Sequence, residues 1–331
     1  MKFRRYLYPA VCFIFLLTST LWIVSGSSQP ASRNRSARRS GSRRSNSNRR
    51  RTHCADNPPA HPSHCNVNER FVVGCNLPFD GGESHDIDEH CPNPGCATRA
   101  SDIAQNRIKN NFCASGTPVQ ISFTTMDRLQ RAVDRMVSRG EISYGSGGPP
   151  NPADRAKLHN LSTVDSNGHA VTLSEGDLVT IDAFVLDAKH DDSFPLGTGP
   201  TGFQGESVNC RNSLLEWNDI HVALGRTASV AECSSVTAEI IPHFRPAVWE
   251  RFDSNSCTSR HVTNPLPVKG IRVRITGQLF FDGSHKPSSC SAPTRGNPSR
   301  RSVWEIHPVY KIEVFSGSRF IPLEEWAANQ H

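Results

Sequence analysis

Three short stretches of the sequence each place two chemically active side chains two positions apart. The three pairs are Asp219 with His221, Thr237 with Glu239, and Glu305 with His307. Successive side chains leave a β-strand on opposite sides, so each pair would share one face of its strand. Carboxylates and imidazoles that converge can bind a divalent metal or serve as general acid and base.

Five predicted strands must position these pairs. In residues 271–282 apolar side chains alternate with polar ones, which is the period of a half-buried strand. The same pattern predicts the other four strands, at residues 178–186, 219–224, 235–241 and 306–315. In the last of these, Tyr310 should point into the core with the aliphatic residues. A short helix is predicted at residues 247–252, directly after Pro246.

The order of these elements predicts the fold. A β-β-β-α-β-β order with a long first strand and a coiled fourth strand indicates an OB-fold-like five-stranded Greek-key barrel. The protein should be mainly β with some helix, of the α+β class. The barrel domain would span residues 153–331, after a linker rich in Gly and Pro. In such a barrel the second, third and fifth strands are neighbours, so the six polar side chains would form one patch on its exterior.

This polar patch suggests a catalytic or metal-binding site. Its candidate catalytic residues are Asp219, His221, Glu239, Glu305 and His307. The candidate metal ligands are His221, Glu305 and His307, together with Asp282 and His285 at the end of the fourth strand. Alternatively, the patch is ordinary surface, because outward positions on a barrel are polar in any case.

Residues 283–303 form the predicted loop between the fourth and fifth strands, a position that OB-folds commonly use to bind ligands. The loop carries basic side chains and no acidic one. With the aromatic residue that follows it, the predicted ligand-binding residues are His285, Lys286, Arg295, Arg300, Arg301 and Trp304. Trp304 or Phe280 could stack on a base or a sugar. The alternative is an exposed solubilising loop held by Cys290.

The first 52 residues differ in composition from the rest of the chain. They carry twelve basic and no acidic side chains, whereas residues 53–331 carry 25 basic and 31 acidic ones. Residues 1–30 hold an apolar run after a basic start, which predicts a signal peptide or a membrane anchor. Residues 31–52 are almost wholly Arg, Ser, Asn and Gly, which predicts a disordered arm. The arm would bind an anionic polymer or a membrane surface, or serve only as a spacer.

Ten cysteines remain when Cys12 is assigned to the apolar run. An even number of cysteines in an exported chain predicts disulfides and an oxidising compartment. They are Cys54, Cys65, Cys75, Cys91, Cys96, Cys113, Cys210, Cys233, Cys257 and Cys290. Six of them lie among histidines in residues 53–145, a segment with two predicted helices, at residues 98–112 and from a cap at Thr124. A zinc module is the alternative for this segment, although it contains no Cys-x-x-Cys pair.

Several short sequence motifs occur together in this chain. They lie at residues 105–113 (QNRIKNNFC), 205–210 (GESVNC), 219–221 (DIH), 276–282 (TGQLFFD) and 304–308 (WEIHP). Together they resemble a group of bacterial exported proteins that have an OB-fold-like barrel and no known activity. The resemblance covers about residues 96–314 and implies a bacterial, extracytoplasmic setting. It carries over no catalytic residue.

Function is predicted from what these features favour and from the motifs that the sequence lacks. The sequence has no Ser-His-Asp elbow, Walker loop, Rossmann glycine motif or His-Glu-x-x-His helix, so no nucleotide cofactor is expected. The first hypothesis is an exported, non-enzymatic binding protein. Its ligand would be nucleic acid or a cell-envelope glycan, held by the barrel loops and the basic arm. The alternatives are a metal-assisted hydrolase of the nuclease or phosphoesterase type, which would use the polar patch and a divalent metal, and a structural envelope protein.

Overall fold

The structure is a computed structural model that describes residues 67–80, 82–145, 148–191, 205–212, 214–256, 258–288, 290–291 and 300–330. The predicted leader and basic arm lie outside the described residues, as do Arg295 and the cysteines Cys54, Cys65 and Cys257. Within the described ranges, no helix is both long enough and apolar enough to cross a membrane.

The described chain forms five α-helices and nine strands. The helices are α1 (Asp86–His90), α2 (Ala100–Lys109), α3 (Phe123–Ser138), α4 (Pro152–Arg155) and α5 (Leu323–Ala328). The strands are β1 (Val119–Ile121), β2 (Leu161–Val164), β3 (Ala170–Leu173), β4 (Leu178–His190), β5 (Ile220–Gly225), β6 (Val236–Ile240), β7 (Arg272–Phe281), β8 (Trp304–Phe315) and β9 (Phe320–Pro322). Short 3₁₀ helices include Ser207–Asn209, before β5, and Ala247–Arg251, between β6 and β7.

Five of the strands close into a barrel, and the protein is therefore a mixed α/β chain with a closed five-stranded barrel and few helices. The strand order is β4-β5-β6-β8-β7, and β7 pairs again with β4. Within this barrel β6 and β8 run parallel and the other pairs are antiparallel. The 13-residue β4 closes the barrel because its first part pairs with β7 and its second part with β5.

Alternate residues of the barrel strands fill its interior, as the sequence pattern predicts. Ile220, Val222 and Leu224 of β5 are fully buried in the main core, as are Val273 and Ile275 (1 % exposed) of β7. Burial of this apolar surface is the main favourable contribution to folding.

The prediction that Tyr310 points into the barrel is wrong. Tyr310 instead packs in a second cluster with Phe71, Phe112 and Ile241 on the outer side of the barrel. The cause is a change of register opposite Gly277, where the β7–β8 pairing is irregular on both sides. A Cβ at Gly277 would overlap the Pro308 carbonyl oxygen, so the close approach of the two strands there requires glycine.

The two predicted helices are present, with shifted ends. The first is α2, within the predicted range. The second is α3, and its N-cap is Ser122, two residues before the expected cap at Thr124. The Oγ of Ser122 accepts a hydrogen bond from the backbone N–H of Thr125, as N-cap side chains do. The stripe of Met126, Leu129 and Val133 is buried in the main core, as expected of an amphipathic helix.

One described disulfide lies within the segment before the barrel, one joins that segment to the residues before β5, and one joins two loops of the barrel. The described pairs are Cys75–Cys113, Cys91–Cys210 and Cys233–Cys290. Cys91 follows α1, and Cys210 follows the 3₁₀ helix that leads into β5, so this bond fixes the segment over the outer side of the barrel. Such bonds persist in an oxidising, extracytoplasmic environment.

Candidate metal centre

The pairs of active side chains that the sequence places on three strands meet in the structure. The β5–β6 pairing sets His221 opposite Glu239, and the parallel β6–β8 pairing sets Thr237 opposite Glu305. His307 follows Glu305 by two positions, and its Nδ1 atom lies 2.7 Å from Oε2 of Glu239. Asp219, one residue before β5, completes the group, which we name the acidic centre (Asp219, His221, Glu239, Glu305 and His307).

The acidic centre lies on the outer side of the barrel, but it is buried, so the prediction of an exposed patch is wrong. Asp219 and Glu305 are each 1 % exposed, Glu239 is 3 % exposed and His307 is fully buried. The reason is that α2 and residues 205–212 cover this side of the barrel. Within the acidic centre, only His221 reaches solvent appreciably, with 28 % of its side chain exposed.

Three side chains from the covering segments contact the acidic centre or its surroundings. Lys109, the last residue of α2, donates a hydrogen bond from Nζ to Glu206 at 2.7 Å, and its Nζ is 3.7 Å from Oε2 of Glu239. Asn209 donates to Oδ1 of Asp219 at 3.2 Å. The strand and helix patterns of the sequence do not identify Lys109, Glu206 and Asn209 as site residues. All three lie within two of the short motifs named above, at residues 105–113 and 205–210.

Carboxylates outnumber fixed cations around the centre. The cations are Lys109 and Arg300, and Arg300 donates hydrogen bonds to Asp282 at 2.6 Å and to Glu305. The carboxylates in contact with these two cations or within the acidic centre are Glu206, Asp219, Glu239, Asp282 and Glu305. Buried charges are costly unless they are paired. The excess of negative charge therefore favours a further cation in this place.

Several metal-ligand atoms of the centre have no aligned hydrogen bond within the described structure. They are Oδ2 of Asp219, Nε2 of His221, Oε2 of Glu239, Oε2 of Glu305, and both ring nitrogens of His307. The 2.7 Å contact between His307 and Glu239 is close, but it lacks hydrogen-bond alignment. Each buried polar atom without a partner costs about 1–3 kcal/mol, and a bound cation would satisfy these atoms together.

The ligand atoms form two overlapping groups. Asp219, His221 and Glu239 each offer one atom, and these atoms lie within 4.8 Å of one another. Glu239, Glu305 and His307 form a second group by the same measure. Carboxylate and imidazole ligands suit zinc, manganese and other divalent ions.

The protonation of the centre's side chains follows from burial and from these neighbours. Burial raises the pKa of Asp219 to about 6. Burial alone would lower the pKa of His307, but the Glu239 carboxylate outweighs it and raises that pKa to about 9. Burial would raise the pKa of Glu239, yet His221, Lys109 and His307 hold it well below its usual range. A metal must displace the imidazole proton, so metal affinity should increase with pH.

A cleft of about 610 Å³ opens onto the acidic centre. His221 and Glu239 line it, together with Lys189 of β4, which pairs directly with His221 across the β4–β5 ladder. Lys189 makes no ion pair with any other residue that the structure describes. The cleft therefore combines the Glu239 carboxylate and the His221 imidazole with an ammonium group that has no ion pair among the described residues, and its wall also carries the carboxylates of Asp187 and Glu232.

The structure places Asp282 and His285 at the edge of this cleft. Nδ1 of His285 lies 2.9 Å from Oδ2 of Asp282, and Arg300 contacts the same carboxylate. Burial would raise the pKa of Asp282, but His285 and Arg300 hold it well below the usual range. Both side chains are thus bound to each other or to Arg300, outside the two groups of ligand atoms.

The other predicted ligand-binding residues of the loop are occupied by contacts within the protein. Arg301 donates to Asp127 of α3 at 2.7 Å, and the Lys286 ammonium lies over the Tyr144 ring. Trp304 and Phe280 are fully buried, because each packs against neighbouring side chains of the barrel. In this structure neither ring offers an exposed face on which a base or a sugar could stack.

Comparison with known proteins gives no further assignment. No protein-family model matches the chain, and no curated protein matches its sequence. The function must therefore be inferred from the geometry of the site.

Proposed function

We propose that the protein is an exported, metal-dependent hydrolase of the phosphoesterase or nuclease type. The observation that carries this proposal is the convergence of buried ligand atoms that have no aligned hydrogen bond to a described residue, in a centre whose His221 and Glu239 line a solvent-open cleft. A purely structural role would leave those atoms to be balanced only by protonation of the imidazoles. Non-enzymatic binding through the loop at residues 283–303 is less well supported, because its described cations are paired or stacked.

The ligands of the proposed metal are Asp219, His221 and Glu239. Three protein ligands leave coordination positions for water and substrate, which is the arrangement of catalytic rather than structural sites. A divalent ion there would lower the pKa of a bound water and polarise the phosphoryl group. Asn209 orients Asp219 through its other carboxylate oxygen, as partners of metal ligands commonly do.

The proposed substrate is a phosphodiester, because the cleft presents a cation where the substrate would lie. Lys189 stands beside His221 and has no carboxylate partner among the described residues, so its ammonium group is available for an anion. Phosphate oxygens bind both ammonium groups and metal ions. His221, the most exposed member of the centre, would bring the metal to the solvent side of the cleft.

Two further proposals concern the fold and the destination of the protein. The strand order β4-β5-β6-β8-β7, with a short helix between the third and fourth barrel strands, supports an OB-fold assignment. The apolar run within residues 1–30 supports export, in agreement with the disulfides. The basic arm would then bring a polyanionic substrate such as nucleic acid to the barrel.

Hydrolysis assays on metal-depleted protein test the proposed function. The substrates are bis(p-nitrophenyl) phosphate and linear DNA, each with Mg²⁺, Mn²⁺ or Zn²⁺ added back. We expect at least one metal to restore hydrolysis, and His221→Ala to lower kcat/KM by about 100-fold or more, since even partners of metal ligands contribute 10–100-fold. Glu232→Gln is the matched control, because Glu232 lines the same cleft outside the acidic centre. Absence of metal-dependent hydrolysis of both substrates would refute the proposal.

A further inference from the structure

We propose that the acidic centre binds two divalent cations, bridged by the carboxylate of Glu239. The first cation is the one assigned above to Asp219, His221 and Glu239. The second would be held by Glu239, Glu305 and His307. This inference rests on the proposed hydrolase function and adds the number of metals and the residues that hold the second one.

The two oxygens of Glu239 have different neighbours. Oε1 lies 3.5 Å from Nε2 of His221, whereas Oε2 lies 2.7 Å from Nδ1 of His307. Each oxygen thus belongs to one of the two groups of ligand atoms. A carboxylate shared in this way is able to bridge two metal ions, as the two-metal sites of phosphatases and nucleases require.

The second group contains the atoms that most need a partner. Oε2 of Glu305 lies 3.8 Å from Nδ1 of His307, and neither atom has an aligned hydrogen bond to a described residue, although Nδ1 is in close contact with Oε2 of Glu239 at 2.7 Å. Both side chains are at least 99 % buried, so water from the bulk does not reach them. These buried, unsatisfied atoms are an observation separate from the acidity of the cluster, and they point to a ligand.

Neighbouring groups hold the second set of ligands in place. Arg300 donates to Oε1 of Glu305, which leaves Oε2 directed at the group. Gln278 of β7 donates to the backbone oxygen of His307 at 3.0 Å, and the Phe280 ring packs against the imidazole with centroids 5.2 Å apart. Such support fixes the orientation of metal ligands.

Lys109 is a neighbouring cation that competes for Oε2 of Glu239. Its Nζ atom is 3.7 Å from that oxygen, beyond hydrogen-bond distance, and it is bonded to Glu206 instead. Lys109 therefore lies near the second group without occupying the position between Glu239, Glu305 and His307.

The charge balance also favours two cations during binding of an anionic substrate. With neutral imidazoles, the six carboxylates around the centre, which include Asp191 beside His221, exceed Lys109 and Arg300 by four negative charges. One divalent ion leaves a net charge of minus two, which would repel a phosphate. Two divalent ions neutralise the centre and remove that repulsion. Protonation of both imidazoles is the competing way to balance the charge, and it excludes metal from both nitrogens.

During hydrolysis, one cation would stabilise the attacking oxygen and the other the leaving oxygen. The oxygen of a water molecule forms a new bond to phosphorus, the ester P–O bond breaks, and the proton of the water passes to the leaving oxygen. Two-metal centres stabilise both the attacking and the leaving oxygen in such a displacement.

The number of bound ions in Mn²⁺-loaded protein tests this inference. Metal-depleted protein is dialysed against Mn²⁺ and freed of excess, and manganese per chain is measured by mass spectrometry. We expect about two Mn²⁺ per chain and an electron paramagnetic resonance spectrum of a spin-coupled pair. His307→Ala and His221→Ala should each retain about one ion and lose the coupled spectrum, whereas Glu239→Gln should weaken both sites. Glu232→Gln, on the cleft wall outside the centre, is the control and should keep both ions.

The outcomes separate the inference from the proposed function. One Mn²⁺ per chain in an active parent protein would overturn the two-metal inference and leave the hydrolase intact. Two ions retained in His307→Ala would equally overturn it. No bound metal and no hydrolysis would refute both and would support protonated imidazoles. If His307→Ala does not fold, His307→Gln keeps the volume of the side chain and removes the imidazole, and the same loss of one ion is expected.

Discussion

His190 is a buried histidine with a structural role, and its hydrogen bonds can be compared with those of His307. Nδ1 of His190 lies 2.8 Å from Asp253 and its Nε2 lies 3.0 Å from Glu250, so both ring nitrogens have a partner. His307 is buried to the same degree, yet neither of its nitrogens has an aligned hydrogen bond to a described residue. Because buried polar groups are normally hydrogen-bonded, the contrast separates His307 from a structural histidine.

Glu250 allows a test of the electrostatics away from the metal centre. Burial would raise its pKa, but Arg245 and His190 together outweigh it and lower that pKa to about 2. A folded-state pKa below the unfolded value contributes stability that is present above about pH 4.5 and is lost as pH falls towards 2. The shift corresponds to about 3 kcal/mol at neutral pH.

Glu250→Gln should therefore lower the free energy of unfolding by about 3 kcal/mol at pH 7, and this deficit should shrink as pH falls towards 2. Urea unfolding of the parent and the variant between pH 2 and pH 7 measures the difference, in which the contributions of all other carboxyl groups cancel. A difference that stays constant over this pH range would contradict the assignment of the ion pair with Arg245.

The sequence allowed part of the candidate site to be predicted at the level of single residues. Strand alternation placed His221, Glu239 and His307 on one side of three strands, and the structure brings them together. Alternation cannot reveal which side of a barrel another segment will cover. Lys109 takes part through a contact between elements far apart in the chain, and no local pattern encodes such a contact. Arg300 is predicted from the sequence as a ligand-binding residue of the loop, whereas in the structure it pairs with Glu305 and Asp282.

At the scale of elements, β8 joins the barrel to the segment that covers the acidic centre. Tyr310 leaves the outer side of β8 and donates a hydrogen bond from its hydroxyl to the backbone oxygen of Asn111 at 2.8 Å. The backbone N–H of Ala114 donates to the same hydroxyl at 3.2 Å. Its ring packs in the cluster with Phe112. The chain after α2 is thus fixed to the barrel by one side chain with both polar and apolar contacts.

Tyr310→Phe should lower the free energy of unfolding by about 0.5–1.5 kcal/mol, because it removes the hydroxyl that is hydrogen-bonded to two half-buried backbone groups. Tyr310→Ala should cost about 3–5 kcal/mol, as other large aromatic truncations in a core do. Urea denaturation of both variants beside the parent measures the two losses. A Phe variant as stable as the parent would show that the hydroxyl contacts add nothing to the attachment.

The barrel strands were predictable as elements, whereas several other elements were not. Alternation over about six to twelve residues located all five strands, because one side of each must be apolar. It missed the last four residues of β4, which include Lys189, since that part pairs with β5 only through tertiary closure. The hairpin of β2 and β3 has four residues in each strand, too few for a periodic pattern.

At the scale of the whole molecule, the charge of the chain is divided between two parts of opposite sign. Residues 1–52 carry twelve basic and no acidic side chains, while the remaining chain has six more acidic than basic ones. An acidic body repels a polyanion, and Lys189 alone does not offset that repulsion. The proposed hydrolase would therefore depend on the basic arm to concentrate a nucleic-acid substrate, although not to cleave it.

Replacing the nine arginines of residues 33–51 by serine tests this division of roles. Binding to duplex DNA should weaken at low salt, and the slope of log K against log salt should flatten by about 0.9 for each phosphate that the arm no longer neutralises. Hydrolysis of bis(p-nitrophenyl) phosphate and the number of bound Mn²⁺ ions should stay unchanged, because neither involves the arm. Lys189→Ala is the opposite control: it should raise KM for the small substrate and change the salt slope by at most about 0.9, the value for a single phosphate. An unchanged salt slope in the serine variant would show that the arm is only a spacer.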